Sequence, residues 1–197
     1  MVMSSLEQKF AEATWVAHTL FNRGKVSGSS ANMSFLHQDR LYISGSGTCF
    51  GSLRSEDFSI VNLQGDHIGG LKPSKELPLH LTLYAKSSDV QAVIHTHSFY
   101  ATLWSCLEHQ NVKDVIPSHT PYLKMKLGTV GLVPFAQPGS QQLFDFFTQR
   151  VNDSDGYLLQ NHGPIVGGKD LLDAFYILEE LEESARIAWE LKNYRSK

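Results

Sequence analysis

Cysteine is almost missing from this chain. Only Cys49 and Cys106 occur, far apart and without CxxC spacing, which excludes a disulfide framework, a dithiol redox site and a cysteine-ligated zinc site. An excess of one charge is missing too: 17 basic and 20 acidic residues are interspersed to a net charge of -3. Nothing resembles the basic stripe of a nucleic-acid binder. No window approaches the ~18 uninterrupted apolar residues of a membrane helix. The opening Met1–Glu7 has no basic flank running into an apolar stretch, as a secretory leader would. Repeats, linkers and low-complexity tracts are absent as well. The expectation is a cytoplasmic protein that acts on small molecules, with no nucleic-acid or membrane partner. Its 197 residues suit one domain, 1–197, since chains of this size bury roughly 70% of their unfolded surface.

What is present is an interleaving of helical and extended patterns. Apolar residues from Leu6 to Phe21 recur at three- and four-residue steps up to a stop at Gly24, predicting a first helix. Two extended runs, Asn32–Leu36 and Leu41–Ser44, flank turn-forming residues and predict a hairpin, and a second pair surrounds Gln64-Gly65-Asp66. Ser74–Lys86 turns helical, with Ser74 placed to cap it and Pro78 tolerated in its opening turn. Helical patterns return at Tyr100–Leu107 and Gly139–Val151, with mixed loop and strand expected between Pro117 and Pro138. A short buried strand, Tyr157–Gln160, precedes a long closing helix from about Lys169. On that helix Glu179, Glu182 and Glu183 read as a solvated acidic face. The fold class predicted is α/β, a layered domain around a mixed, largely antiparallel sheet flanked by helices.

The densest chemistry lies in His95-Thr96-His97, which closes the apolar run Gln91–Ile94. On an extended strand, residues i and i+2 share a face about 7 Å apart, so two imidazoles can converge on one cation. A third imidazole would complete a catalytic zinc shell and leave a position for water or substrate; His162, in Asn161-His162-Gly163-Pro164, is the candidate. Histidines satisfied by neighbours are the alternative at such spacing. Glu76, in Lys72-Pro73-Ser74-Lys75-Glu76, adds a carboxylate that suits both acid/base work and the start of a helix. His80, one helical turn later, reads as a hydrogen-bonded scaffold group.

These segments, taken in order, resemble the class II aldolase/adducin family: Ser29-Ser30-Ala31-Asn32-Met33-Ser34, Ile43-Ser44-Gly45-Ser46-Gly47, Lys72–Glu76, Ala92–His97, and Asn161–Pro164 followed by Gly167-Gly168-Lys169-Asp170. The resemblance covers most of the chain, and the ordered set is specific although each piece alone is weak. It implies metal ligation by His95, His97, His162 and Glu76, with Zn²⁺ as the ion and Mn²⁺ or Co²⁺ able to substitute. It implies acid/base catalysis by Glu76. A substrate phosphate would lie on Ser29, Asn32, Ser46, Gly47, Ser74 and Lys75, where several donors can share a dianion.

Tyr122 aligns with a tyrosine that crosses a subunit boundary to assist proton transfer, with His119 as the alternative, and the family relationship implies a homotetramer. Two positions depart from the pattern: Ala31 stands where many relatives carry glycine, and Lys75 where fuculose-type aldolases carry a second serine. The added cation suits a substrate bearing a carboxylate as well as a phosphate. The resemblance is nearest to the branch that decarboxylates 3-oxo-tetronate 4-phosphate, a phosphorylated sugar acid, to dihydroxyacetone phosphate and CO₂ through a metal-stabilised enediolate. A sugar-phosphate aldolase or 4-epimerase, a thio-sugar phosphate dehydratase and a non-catalytic adducin-like binding module are the alternatives.

Overall fold

The computed structural model describes residues 5–194; most of the Met1–Glu7 stretch and the last three residues of the 1–197 domain lie outside them. The first helix, α1 (Leu6–Asn22), opens with a capping box in which the Ser5 hydroxyl and the Gln8 side chain satisfy each other's backbone amides. The two hairpins form as their patterns predict: β1 (Asn32–His37) with β2 (Arg40–Ser44), and β3 (Phe58–Asn62) with β4 (His67–Gly70). Next come α2 (Leu77–Lys86), β5 (Ala92–His95), α3 (Phe99–Ser105), α4 (Tyr122–Lys126) and β6 (Val130–Val133). The chain closes with α5 (Gln141–Arg150), β7 (Gly156–Leu159), β8 (Gly163–Gly168) and α6 (Leu171–Tyr194).

The strands make one eight-stranded sheet in the order β4-β3-β2-β1-β5-β8-β7-β6. Every pairing is antiparallel except β6 with β7, so the sheet is mixed and largely antiparallel, as predicted. Alternate residues of the central strands feed two cores. Met33, Phe35, Ala92, Ile94, Leu158 and Val166 face α1, α3 and α6, whereas Val93, Tyr157, Leu159 and Ile165 face α2 and α5. A strand buried on both sides reads as a continuous apolar run. Among the described residues no helix is long and apolar enough to cross a membrane.

Four local expectations are corrected. The helix predicted from Ser74 begins at Leu77, and the Ser74 hydroxyl accepts the Glu76 amide at 3.3 Å instead of capping α2. The Pro117–Pro138 segment contains the short helix α4 beside β6. Gly163–Gly168, read only as a motif, is strand β8. Glu182 is buried, not solvated: its carboxylate accepts the amides of Tyr100 at 3.1 Å and Ala101 at 2.8 Å, with Lys25 Nζ 3.5 Å away. It thereby satisfies the first turn of α3, where the N-cap Ser98 makes no side-chain bond.

The topology brings the start of β1, the end of β5 and the start of β8 together at the middle of one sheet edge. Asn32 pairs in register with His95, and His95 with Ile165. A bridge between Gly45 and Pro73 ties the segment leading to Glu76 against the end of β2.

Candidate metal centre and substrate cleft

His95 is the last residue of β5 and is fully buried. Its Nδ1 lies 2.8 Å from the Pro164 carbonyl. A carbonyl only accepts, so Nδ1 carries the proton and Nε2 presents a bare lone pair, the usual way an outer hydrogen bond fixes a metal-ligating tautomer. His97 differs from expectation. The strand ends at His95, so His97 projects from the turn into α3, yet the two rings still meet, with centroids 5.2 Å apart.

His162 arrives from the other side of the centre, in the turn between β7 and β8. Asn161 at φ 57° and Gly163 at φ 154° bracket it. Its ring centroid lies 4.8 Å from that of His95 and 4.7 Å from that of His97. One nitrogen from each of the three rings falls within 4.8 Å of the others.

Glu76 faces this group from the residue before α2. Its Oε2 is 3.4 Å from His95 Nε2 and its Oε1 3.4 Å from His162 Nε2, while the two Nε2 atoms are 3.3 Å apart. His97 Nε2 and Glu76 Oε1 are buried with no hydrogen-bond partner, an arrangement costly unless a cation satisfies them. Three imidazole nitrogens gathered together, with the Glu76 carboxylate beside two of them, form a donor set that fits a divalent first-row ion.

The electrostatics agree. Burial pushes His97 down to about 4, helped by His162 and by Lys75, and burial with His95 brings His162 to about 4. Burial also lowers His95. All three rings are therefore neutral at physiological pH, the state a metal-ligating imidazole requires. Burial alone would raise Glu76, but His95, His162 and the Asn32 amide hold it below the ordinary carboxylate value.

A cleft of about 190 Å³ opens onto the centre. Ser29, Asn32, Ser46, Gly47, Ser74, Lys75, Glu76, His97 and His162 all line it, and His95 sits behind. The predicted phosphate group and the predicted metal group thus share one cavity. The Ser46 amide is already donated to the Lys72 carbonyl at 2.8 Å, so Ser46 offers its hydroxyl rather than its N–H. Ala31 lies outside the left-handed region, so the departure from glycine costs no strain. The Lys75 stem is steered by Gly139, at φ 78°, where an added Cβ would fall 2.7 Å from Lys75 Cδ.

Tyr122 is not brought in. It stands exposed on α4, and His119 borders a different hollow with Trp104 and Lys192. Within one chain neither lines the cleft. Sequence reasoning also missed Ser34 and Tyr84, which lie behind Glu76 with His80. Their signal was spacing: Glu76, His80 and Tyr84 follow at four-residue steps, one face of a helix.

Residues 11–189 match the class II aldolase and adducin N-terminal domain. The chain belongs to that family. It is 39% identical over 186 residues, 94% of this chain and 85% of the relative, to a 3-oxo-tetronate 4-phosphate decarboxylase of Pectobacterium atrosepticum. It is 36% identical over 172 residues, 87% of this chain and 91% of the relative, to an L-fuculose phosphate aldolase of Methanocaldococcus jannaschii. The crystal structure of YgbL from Klebsiella pneumoniae superimposes with a TM-score of 0.93 at 36% identity, covering 97% of this chain and 93% of that one.

Proposed function

We propose that this protein is a metal-dependent carbon–carbon lyase that decarboxylates 3-oxo-tetronate 4-phosphate to dihydroxyacetone phosphate and CO₂. The observation that carries the reading is the shared cleft: hydroxyl donors and an ammonium lie in the same cavity as Glu76, His97 and His162. Relatives named for this reaction support it. His95, His97 and His162, with Glu76 as a fourth ligand until substrate arrives, would hold Zn²⁺, for which Mn²⁺ or Co²⁺ could substitute. When bound, the ion supplies Lewis-acid stabilisation of negative charge developing on substrate oxygen.

The chain's own groups do the remainder. Ser29, Ser46, Gly47 and Ser74 take the phosphate, and Lys75 holds the second anionic end. As the bond from C2 to the carboxylate breaks, its electron pair passes toward the C3 carbonyl and leaves an enediolate. Glu76, the one carboxyl among the cleft-lining residues, takes up a proton from water and delivers it to C2. One proton consumed and one CO₂ released balance the step. A homotetramer in the cytoplasm belongs to the same reading. Tyr122 and Met125, exposed on α4, would face a second copy, with Tyr122 assisting the neighbouring site.

The test is incubation of the metal-loaded protein with 3-oxo-tetronate 4-phosphate, following CO₂ and triose phosphate. Stoichiometric release of both is expected. Aldehyde release from a sugar phosphate, without CO₂ from the keto acid, would move the protein to the aldolase branch, and binding without turnover would favour an adducin-like module.

A further inference from the structure

Behind Glu76 runs a chain of four side chains, three of them buried, that the mechanism above does not use. Asn32 Nδ2 donates to Glu76 Oε2 at 3.0 Å. On the other side of that amide, Asn32 Oδ1 lies 2.5 Å from His80 Nε2. His80 Nδ1 lies 2.7 Å from Ser34 Oγ, which lies 2.7 Å from Tyr84 OH. Asn32, Ser34 and His80 are all buried.

The proton positions along this chain follow from what each atom can do. An ionised Glu76 only accepts, so Asn32 must present its NH₂ to it. The Asn32 carbonyl then faces His80 and only accepts, so His80 Nε2 carries a proton. A neutral ring leaves Nδ1 bare to accept the Ser34 hydroxyl, and Ser34 in turn accepts from Tyr84. Every bond then donates toward the carboxylate. Burial supports the neutral ring, pushing His80 down to about 3.

We propose that His80 is a positioning residue for the reaction: as the Nε2–H tautomer it locks the Asn32 amide with its NH₂ toward Glu76, and so fixes the orientation of the acid/base carboxylate. This deepens the reading of Glu76 as the acid/base and rests on it. It also changes the expectation for Asn32, read from the sequence as a phosphate-binding residue. Its carbonyl oxygen and one of its N–H groups are committed to this chain, leaving a single N–H to face the cleft.

Two measurements on the full-length protein test this. The first is independent of catalysis: a two-bond proton–nitrogen correlation spectrum of ¹⁵N-histidine-labelled protein near pH 7. The His80 signals are assigned as those missing from His80→Gln. The Nε2–H tautomer is expected, and an Nδ1–H or doubly protonated ring would overturn the proposal even if no substrate were ever found. The second compares variants in the decarboxylation assay.

His80→Gln keeps an amide N–H able to donate to Asn32 and should retain kcat within about tenfold, whereas His80→Leu, which frees the Asn32 amide to turn, should lose roughly a further 10- to 100-fold in kcat with little change in KM. Equal losses in the two variants, or a loss confined to KM, would overturn the positioning role. Should His80→Leu fail to fold, the wild-type spectrum decides. An absent decarboxylation with the expected tautomer would count against the assigned reaction while leaving the hydrogen-bond chain intact.

Discussion

Gly163→Ala should damage stability and cation binding together, because Gly163 is where the two halves of the candidate centre touch. The residue sits at φ 154° between His162 and Pro164. A Cβ there would fall 2.3 Å from the Thr96 carbonyl oxygen, 3.2 Å from His97 Cα and 3.3 Å from Thr102 Oγ1. The nearest atom is backbone and cannot swing aside, so either the β5 end or the β7–β8 turn must move. Unfavourable φ costs about 1–3 kcal/mol, and overpacking in a filled interior about 1–3 kcal/mol more.

Taking about 3 kcal/mol, the melting temperature of a chain this size should fall by roughly 6–12 °C. The same shift parts His162 from His95 and His97, so affinity for a divalent ion should fall roughly 10- to 100-fold, the usual cost of disturbing what orients a ligand. Scanning calorimetry of the metal-free protein and titration with Co²⁺ read the two effects separately. A variant that melts and binds as the wild type does would refute the reasoning. One that melts early but keeps full Co²⁺ affinity would show that the ring cluster does not depend on this contact.

Glu76→Gln keeps the shape but cannot transfer a proton; kcat should fall roughly 10²- to 10⁴-fold and Co²⁺ affinity by at least about tenfold with the loss of an anionic ligand, and full activity would remove Glu76 as the acid/base. Lys75→Ser should raise KM for the sugar-acid phosphate about tenfold, by analogy with loss of a charge-assisted hydrogen bond, and an unchanged KM would take Lys75 out of substrate binding. Acid should destabilise the metal-free protein. Burial holds His97 and His162 near 4 and His80 near 3, against about 6.5 in an unfolded chain. Between those values the unfolded state binds more protons, so stability is full above about pH 6.5 and is lost as pH falls toward 4. A melting temperature flat across that window would mean the rings are open to water.

Much of the architecture was legible because local signals agreed with the tertiary outcome. The apolar steps of α1, the two hairpins and the apolar run into His95 each carried one period and one reading. Strand β8 was harder: in Gly163-Pro164-Ile165-Val166-Gly167-Gly168 the glycines and proline look like loop, and only a central place between β5 and β7 makes them strand. Glu182 was misread because a helical wheel cannot show that the start of α3 lies against it. His95 and His97 were singled out by their spacing, although the geometry expected of a continuous strand is supplied by a turn. The Lys75 stem against Gly139 depends on contacts more than sixty positions apart, which no window on the chain reveals. His80 was legible as a hydrogen-bonded group one turn beyond Glu76, as its bonds to Asn32 and Ser34 show, whereas Ser34 and Tyr84 were visible only as an alternation on β1 and a four-residue rhythm along α2.

The most direct measurement is the stoichiometry of Co²⁺ binding to the metal-stripped protein, followed by its visible absorption, in the wild type and in His95→Ala, His97→Ala and His162→Ala. One ion per chain in a low-symmetry site is expected for the wild type, with tight binding lost in each variant. Stoichiometric binding that survives the loss of any of the three rings, or no binding by the wild type, would contradict a centre built from these imidazoles.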